Sequence, residues 1–255
     1  MFLLMGGGLL FFAGLAVVQG ESFRSPHILK PVLLIRYAAE ILAMVGMVQA
    51  LSQVPLSTVG AILQATPLIV VLGAVLFLGE IVSWRRWSAI LVGFLGVLMI
   101  IRPTSDSFDV MVLWAVVAMM ALAVRDLTTR LTPEGMSSSV LATYTMLASM
   151  PVAVGWIFIS SEALLPGDAN WLLVFTMIVC GSVGYLLIIA SIRIAEISVV
   201  SPYRYSRLIF LMALGIALFG ERPDRFTLFG AALIVVAGIY TMWRDRHAKA
   251  QRSSI

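Results

Sequence analysis

Residues 57–80 read STVGAILQATPLIVVLGAVLFLGE, and residues 198–221, which begin 141 positions later, read SVVSPYRYSRLIFLMALGIALFGE. Both stretches share a layout of a short turn, a long apolar segment and a Gly-Glu stop, and each is followed by a basic or aromatic turn and a second apolar segment that contains glycines. Similarity at a fixed spacing predicts an internal repeat. The identical pairs under the shift are Ser57 and Ser198, Val59 and Val200, Gly79 and Gly220, and Glu80 and Glu221.

The composition restricts the class of protein. Of the 255 residues, 61% are hydrophobic and only 12% are Asp, Glu, Lys or Arg, about half the charged share of a soluble domain. A water-soluble chain of this size cannot bury so much apolar surface in one core, and disordered chains are polar and charged. The composition therefore predicts an all-α integral membrane protein and excludes an ordinary soluble enzyme.

Apolar segments long enough for a membrane helix recur along the chain. A bilayer core about 30 Å thick needs roughly 20 apolar residues per helix, and charges, prolines and turn residues divide the sequence into nine such segments. We interpret the first as a retained helix, because no basic residue precedes it and a good cleavage site is missing. The predicted spans are residues 2–20, 31–51, 56–78, 84–101, 110–128, 138–160, 170–193, 198–219 and 225–243.

The net charge of +4 comes mainly from Lys and Arg in short loops and in the tail. Such a distribution is typical of membrane proteins, whose cytoplasmic loops are basic, and it argues against a nucleic-acid partner. The bias predicts that the N-terminus lies outside and that the tail, residues 244–255, lies in the cytoplasm.

Under the 141-residue shift, predicted helices one to four match helices six to nine, while helix five has no counterpart because its mate would precede residue 1. We expect a first repeat of four helices over residues 1–103 and a second of five over residues 109–243. Equivalent helices are separated by five spans, an odd number, so the two repeats have opposite orientations. Inverted repeats are a recurring design of secondary transporters, which hold substrate near the midplane between the repeats.

Several short motifs, in this order and spacing, resemble EamA-type members of the drug/metabolite transporter superfamily. The resemblance covers essentially the whole chain. The motifs are Gly79-Glu80, Trp84-Arg85-Arg86-Trp87, Gly93-Phe94-Leu95-Gly96-Val97, Arg102-Pro103, Arg125-Asp126 with Arg130, Pro202-Tyr203-Arg204-Tyr205-Ser206-Arg207, and Phe219-Gly220-Glu221-Arg222-Pro223.

The resemblance implies ten helices in two inverted repeats around a central cavity. This chain departs from that pattern by lacking the first helix, which is interpreted either as a misassigned start codon or as a nine-helix variant. It also implies transport of small metabolites, often amino acids or related compounds, across the bacterial inner membrane. The subgroup is similar to transporters of S-adenosylmethionine. Because the sequence has no phosphate-binding loop, we expect secondary-active transport by alternating access rather than ATP-driven transport.

Arg204 and Arg207 lie three residues apart on the eighth span and so share one helix face. They are predicted to lie roughly 9 and 14 Å from its start, where each arginine costs about 2.5–3.5 kcal/mol. We therefore expect both to face protein, where they bind an anionic group of the substrate or form a structural ion pair. Tyr203 and Tyr205 flank them as candidates for stacking on the substrate or for lipid contact, although two successive odd positions do not share one helix face.

Other polar residues lie inside apolar segments. Arg36 and Glu40 have i, i+4 spacing on the second span, which fits an ion or proton site or a local salt bridge. Under the 141-residue shift, Gln64 matches Tyr205 and Thr66 matches Arg207. Gln64 and Thr66 are therefore expected either to form the opposite wall of the cavity or to form hydrogen bonds between helices. Two prolines interrupt helices three and eight as hinges or static kinks; they are Pro67 and Pro202.

No other chemistry stands out in the sequence. The single cysteine, Cys180, excludes an intrachain disulfide and is expected to pack between helices, and we predict neither a metal site nor a cofactor. The expected partners are a small-molecule substrate and lipid, and a homodimer stays open. The alternatives to a transporter are a non-transporting helical partner and, with less support, a membrane-embedded lipid enzyme.

Overall fold

The computed structural model describes the backbone of residues 2–24, 27–78, 84–102, 109–133, 135–160, 170–194 and 197–252. Within these ranges, the side chains at 78, 85–86, 159–160, 197–203, 205 and 241–252 are not described. All regular structure in these ranges is helical, as the sequence predicted. The helices are α1 Phe2–Val18, α2 Pro31–Gln53, α3 Leu56–Leu63, α4 Thr66–Leu78, α5 Trp84–Ile101, α6 Val112–Arg130, α7 Ser138–Ser160, α8 Trp171–Ile194, α9 Ile197–Phe219 and α10 Arg225–Arg252.

The helices coincide with the predicted apolar segments. In the described part of the chain, five helical stretches are long and apolar enough to cross a membrane, and four shorter apolar helices accompany them. The long ones are Pro31–Gln53, Leu56–Phe77, Val112–Arg130, Ser138–Phe158 and Trp171–Ile194. The short ones are Phe2–Val18, Trp87–Ile101, Ser206–Phe219 and Arg225–Tyr240.

The third predicted span is divided into α3 and α4 at Gln64 and Ala65. Here the backbone tightens, because the amides of Gln64 and Ala65 donate to the carbonyls three residues earlier. Pro67 is the second residue of α4, where a proline is tolerated because the amide it lacks would have no partner inside the helix. In contrast, α9 continues through Pro202 without a break, and the Pro202 side chain lies outside the described residues.

The chain forms two compact units, and each contains parts of both halves of the sequence. Unit 1 consists of Met1–Ile41 and Thr128–Ile194, and unit 2 of Leu42–Leu127 and Ala195–Ile255. Two of the three boundaries fall inside α2 and α6, and the third follows the end of α8. These units are a different division of the chain from the predicted repeats, which remain a prediction.

In unit 1, α1 packs against α7 and α8. Small residues allow close approach, since Gly8 faces the Met146 sulfur and the Ser182 hydroxyl. Its apolar core contains Phe12, Ala16, Leu33, Tyr37, Met136, Val140, Leu141, Ala142, Met146 and Ile189.

In unit 2, α10 packs along α5 and α9, and α3 packs against α9. The core is built mainly from small and branched apolar side chains of α3, α4, α5 and α6. The 141-residue shift carries α3 into α9 and α5 into α10, so these contacts join helices that the repeat predicts to be equivalent. In unit 1, the same shift carries α1 into α7, which is also its packing partner.

Two glycines let α5 and α10 touch backbone to backbone. A methyl group added at Gly96 would lie 2.7 Å from the carbonyl oxygen of Gly230, and one added at Gly230 would lie 2.6 Å from the carbonyl oxygen of Gly96. No real Cβ atom fits at that distance, so the contact requires glycine on both helices.

Glu221 caps a helix that cannot cap itself. The residue before α3 is Pro55, which makes no side-chain cap, and the amides of Leu56 and Ser57 instead donate to the Glu221 carboxylate at 2.5 and 2.9 Å. Gly220, with φ +63°, ends α9 and directs Glu221 toward this helix start. Burial opposes ionisation, but the hydrogen bonds from Ser57 and Leu56 outweigh it and lower the pKa of Glu221.

Replacing Gly96 with alanine should destabilise the protein by about 1–3 kcal/mol, because the new methyl group overpacks the contact with α10. Thermal unfolding of the purified protein in detergent measures the effect. The control is Gly184→Ala on α8, where nothing lies within 4 Å and alanine should preserve or raise stability. Equal melting temperatures for the two variants would contradict the proposed packing.

Glu221→Gln should lower the melting temperature at pH 7, because the charged carboxylate stabilises the start of α3. Because folding lowers the pKa of Glu221 from its ordinary value of 4.5, the ionised carboxylate stabilises the folded protein at pH values above 4.5. This stability is lost as the pH falls through the pKa of the folded state. The difference between wild type and variant should therefore shrink as the pH falls below about 4.5. Glu21→Gln, at an exposed position, is the control and should show no such dependence.

Candidate functional site

Unit 2 contains a buried cluster of charges between α6 and α9. Asp126 is only 1% exposed and accepts hydrogen bonds from the Nε and Nη2 atoms of Arg125 at 3.0 and 2.8 Å. Its other carboxylate oxygen lies 2.6 Å from the Nη1 atom of Arg204. Two arginines thus hold one carboxylate, and Arg204 forms an ion pair inside the protein.

The arginines make burial of Asp126 tolerable. A lone carboxylate at this depth is strongly disfavoured, whereas charge-assisted hydrogen bonds from guanidinium groups offset much of that cost. Conversely, Asp126 allows Arg204 to lie inside α9 with its side chain only 19% exposed. The ion pair with Asp126 therefore holds Arg204 in place.

Arg207 is in a different state. It lies one turn along α9 from Arg204 and interacts electrostatically with Arg204, Arg125 and Asp126. Its Nε atom is shielded from solvent and has no hydrogen-bond partner among the described residues. Three guanidinium groups and one carboxylate give this neighbourhood an excess of positive charge, which favours an anionic ligand.

Gln64 and Thr66 lie at the junction of α3 and α4. Both are buried, and the Thr66 hydroxyl donates to the carbonyl of Leu63 at 2.6 Å. The Gln64 Nε2 atom is buried without a hydrogen-bond partner in the described residues. Thr66, the first residue of α4, is therefore bonded to the end of α3, while the Gln64 amide nitrogen keeps unused donors.

Two candidates cannot be placed. The side chains of Tyr203 and Tyr205 lie outside the described residues, as does the motif Gly79-Glu80. Their roles in stacking or lipid contact remain predictions.

Unit 1 contains a second buried arginine. The Arg36 side chain is fully buried; its Nε atom donates to the Thr129 hydroxyl at 2.9 Å, and its Nη1 atom donates to the Thr145 hydroxyl. The Nη2 atom lies 3.4 Å from the Tyr185 hydroxyl, which itself donates to Glu40 at 2.9 Å. The predicted partners Arg36 and Glu40 are thus joined through Tyr185.

The sequence reasoning missed three members of this network: Thr129, Thr145 and Tyr185. A hydroxyl inside an apolar helix is common and is usually satisfied by the carbonyl four residues earlier, as Thr145 is by Leu141. The partners come from three different helices, so no local spacing could have joined them.

A cavity of about 350 Å³ lies in unit 2 where α3, α6 and α10 begin and α5 ends. Arg102, which has φ +49°, forms an ion pair with Asp224 and lies 4.2 Å from the ring centroid of Phe226. The polar lining of the cavity comes from Ser57, Thr58, Arg102, Asp109, Glu221, Arg222, Asp224 and Thr227. Within the described ranges, no group of three or more His, Cys, Asp or Glu side chains is placed to hold a metal ion.

Comparison with known proteins identifies relatives over most of the chain. An S-adenosylmethionine uptake transporter of Rickettsia felis is 27% identical over 230 residues, which cover 89% of this chain and 74% of the relative. A riboflavin transporter of Vibrio cholerae is 27% identical over 194 residues, covering 76% and 65%. A pseudopaline exporter of Pseudomonas aeruginosa is 28% identical over 219 residues, covering 82% and 74%.

The fold also has a counterpart among solved structures. A crystal structure that is 16% identical in sequence superposes with a TM-score of 0.66, covering 94% of this chain and 85% of the other. This likeness concerns the fold alone.

The sequence model of the EamA-like transporter family matches residues 1–102 and 109–243. The relatives are membrane transporters of small metabolites, so the predicted class, a multi-pass membrane transporter rather than an enzyme, is confirmed. The chain belongs to the EamA-like transporter family.

Proposed function

We propose that the protein is a secondary-active transporter that moves an amino acid, S-adenosylmethionine or a related compound across the bacterial inner membrane by alternating access. The names of relatives that carry S-adenosylmethionine, riboflavin and pseudopaline support a small organic cargo. The observation that carries the proposal is the excess of positive charge around Asp126, because a transporter keeps costly buried charge where it serves the cargo.

The proposed architecture is a pair of inverted repeats, residues 1–103 and 109–243, followed by a cytoplasmic tail. Packing within each unit supports it: α1 contacts α7 in unit 1, and α3 contacts α9 and α5 contacts α10 in unit 2. Each of these pairs joins helices that the repeat relates. The basic loops support an N-terminus outside and a C-terminus in the cytoplasm.

In the proposed site, Arg207 binds the anionic group of the cargo. Arg204 is held by Asp126 and contributes positive charge and the position of α9 rather than a direct contact. Tyr203, Tyr205 and Thr66 are proposed to line the same cavity. The division of labour follows from the partners: Arg204 has a carboxylate, whereas the Arg207 Nε atom has no acceptor among the described side chains.

We assign a structural role to the network of Arg36, Tyr185 and Glu40. Arg36 is enclosed by hydroxyl groups, and this arrangement stabilises a buried guanidinium within unit 1. Pro67, at the start of α4, is proposed as the point where the third span bends during transport.

Arg207→Ala should reduce transport at least about 30-fold while leaving the melting temperature nearly unchanged, because it removes a ligand contact but no internal ion pair. Arg204→Ala should reduce transport and also destabilise the protein by about 3 kcal/mol or more, because it removes a partner of buried Asp126. Both should still insert into membranes.

The measurement is flux into proteoliposomes with S-adenosylmethionine, amino acids, nucleosides and riboflavin, together with thermal unfolding. Arg225→Ala, at an exposed position, is the control and should transport normally. Full transport by the double variant Arg204→Ala/Arg207→Ala would defeat the assignment. Absence of flux for every compound with the wild type would favour a non-transporting helical partner.

A further inference from the structure

Two buried nitrogen donors in unit 2 have no acceptor among the described residues: Nε2 of Gln64 and Nε of Arg207. The Gln64 side chain is 1% exposed, and both nitrogen atoms are shielded from solvent. Buried polar groups in folded proteins are nearly always bonded, so each exception needs an explanation. A ligand that supplies acceptors is one.

The packing of α3 on α9 shows how these two donors are related. Glu221, just after the end of α9, binds the amides of Leu56 and Ser57 at the start of α3. The end of one helix therefore lies at the start of the other, and the two helices are antiparallel.

A close contact sets the register between these helices. A methyl group added at Gly60 would lie 2.9 Å from Cδ1 of Leu211, so these residues occupy the facing sides. Gln64 follows Gly60 by four residues, and Arg207 precedes Leu211 by four. Residues four apart share a helix face, so this register places Gln64 and Arg207 on the facing sides of the two helices, one turn deeper.

The depth of this pair fits a transport site. Gln64 is about 12 Å along the helix from Leu56, near the middle of a hydrocarbon core about 30 Å thick. It also lies at the break between α3 and α4. Interrupted helices near the midplane are a recurring location of substrate sites in transporters.

The chemistry of the pair selects the ligand. A glutamine amide nitrogen and a guanidinium nitrogen both donate, and the local charge is positive, so the matching group is an anion with two acceptor oxygens. A carboxylate meets both requirements. A cargo group that itself donates hydrogen bonds would leave the two nitrogens unpaired.

We propose that Gln64 and Arg207 together bind the carboxylate of the cargo, so that the protein selects organic carboxylates over analogues that lack this group. The inference rests on the proposed transport function and adds the part of the cargo that is recognised. Gln64 acts as a specificity determinant, and Arg207 supplies the charge.

Proteoliposome uptake of S-adenosylmethionine, decarboxylated S-adenosylmethionine, methionine and riboflavin tests this selection. The wild type should transport S-adenosylmethionine, methionine or both, which carry a carboxylate. It should discriminate at least about tenfold against decarboxylated S-adenosylmethionine and riboflavin. Equal uptake of decarboxylated S-adenosylmethionine, or uptake of riboflavin alone, would overturn carboxylate recognition and leave the transport function standing. Absence of uptake of all four and of the wider compound panel would overturn the transport function and this inference with it.

Substitution of Gln64 separates a ligand contact from a structural one. Gln64→Leu should raise the KM for the carried carboxylate about 10- to 100-fold and leave the melting temperature unchanged or higher, because it removes a buried donor that has no partner. Gln64→Glu should abolish carboxylate uptake, since the new carboxylate occupies Arg207.

Gln49→Leu is the matched control, because Gln49 lies in α2 and is partly buried. It should leave the KM unchanged. An unchanged KM for Gln64→Leu, or a fall in its melting temperature that accounts for the lost uptake, would overturn the role proposed for Gln64.

Discussion

A charged side chain inside a membrane helix needs a partner, and this requirement governs the centre of unit 2. Asp126 binds Arg125 and Arg204, and each group makes the burial of the other tolerable. Such buried ion pairs add little net stability compared with apolar packing, because removing the charges from water costs about as much as their attraction returns. Their value is that they place α6 against α9 and leave a surplus of positive charge beside Arg207, where the proposed cargo binds.

Packing between related helices accounts for much of the remaining structure. The Gly96 and Gly230 backbones touch across α5 and α10, and Glu221 joins the end of α9 to the start of α3. Hydrophobic burial does not drive helix association in lipid, because lipid tails are as apolar as the side chains. Here the first contact depends on small residues and the second on a loop carboxylate. These contacts in unit 2 thus join helices that the predicted repeat makes equivalent.

The sequence was sufficient for features that depend on composition and local pattern. The apolar segments and the all-helical class are confirmed, because bilayer thickness and hydropathy fix them locally. The transporter family, which the resemblance of short motifs indicated, is confirmed as well. Features that depend on tertiary contact were not accessible. The hydroxyls around Arg36 come from three helices, Asp126 gave no local sign of its pairing with Arg204, and the third span breaks at Gln64 and Ala65, before Pro67. The roles of the site residues and the repeat boundaries remain predictions.

The central claim is that Arg207 faces a water-accessible interior rather than lipid, and cysteine labelling tests it most directly. Cys180 is the only cysteine in the sequence, so Cys180→Ser provides a cysteine-free background. There, Arg207→Cys should react with a charged, membrane-impermeant thiol reagent added to inside-out or right-side-out vesicles, whereas Phe210→Cys, at a 65% exposed position, should not. Reaction at position 210 with none at position 207 from either side would contradict the account.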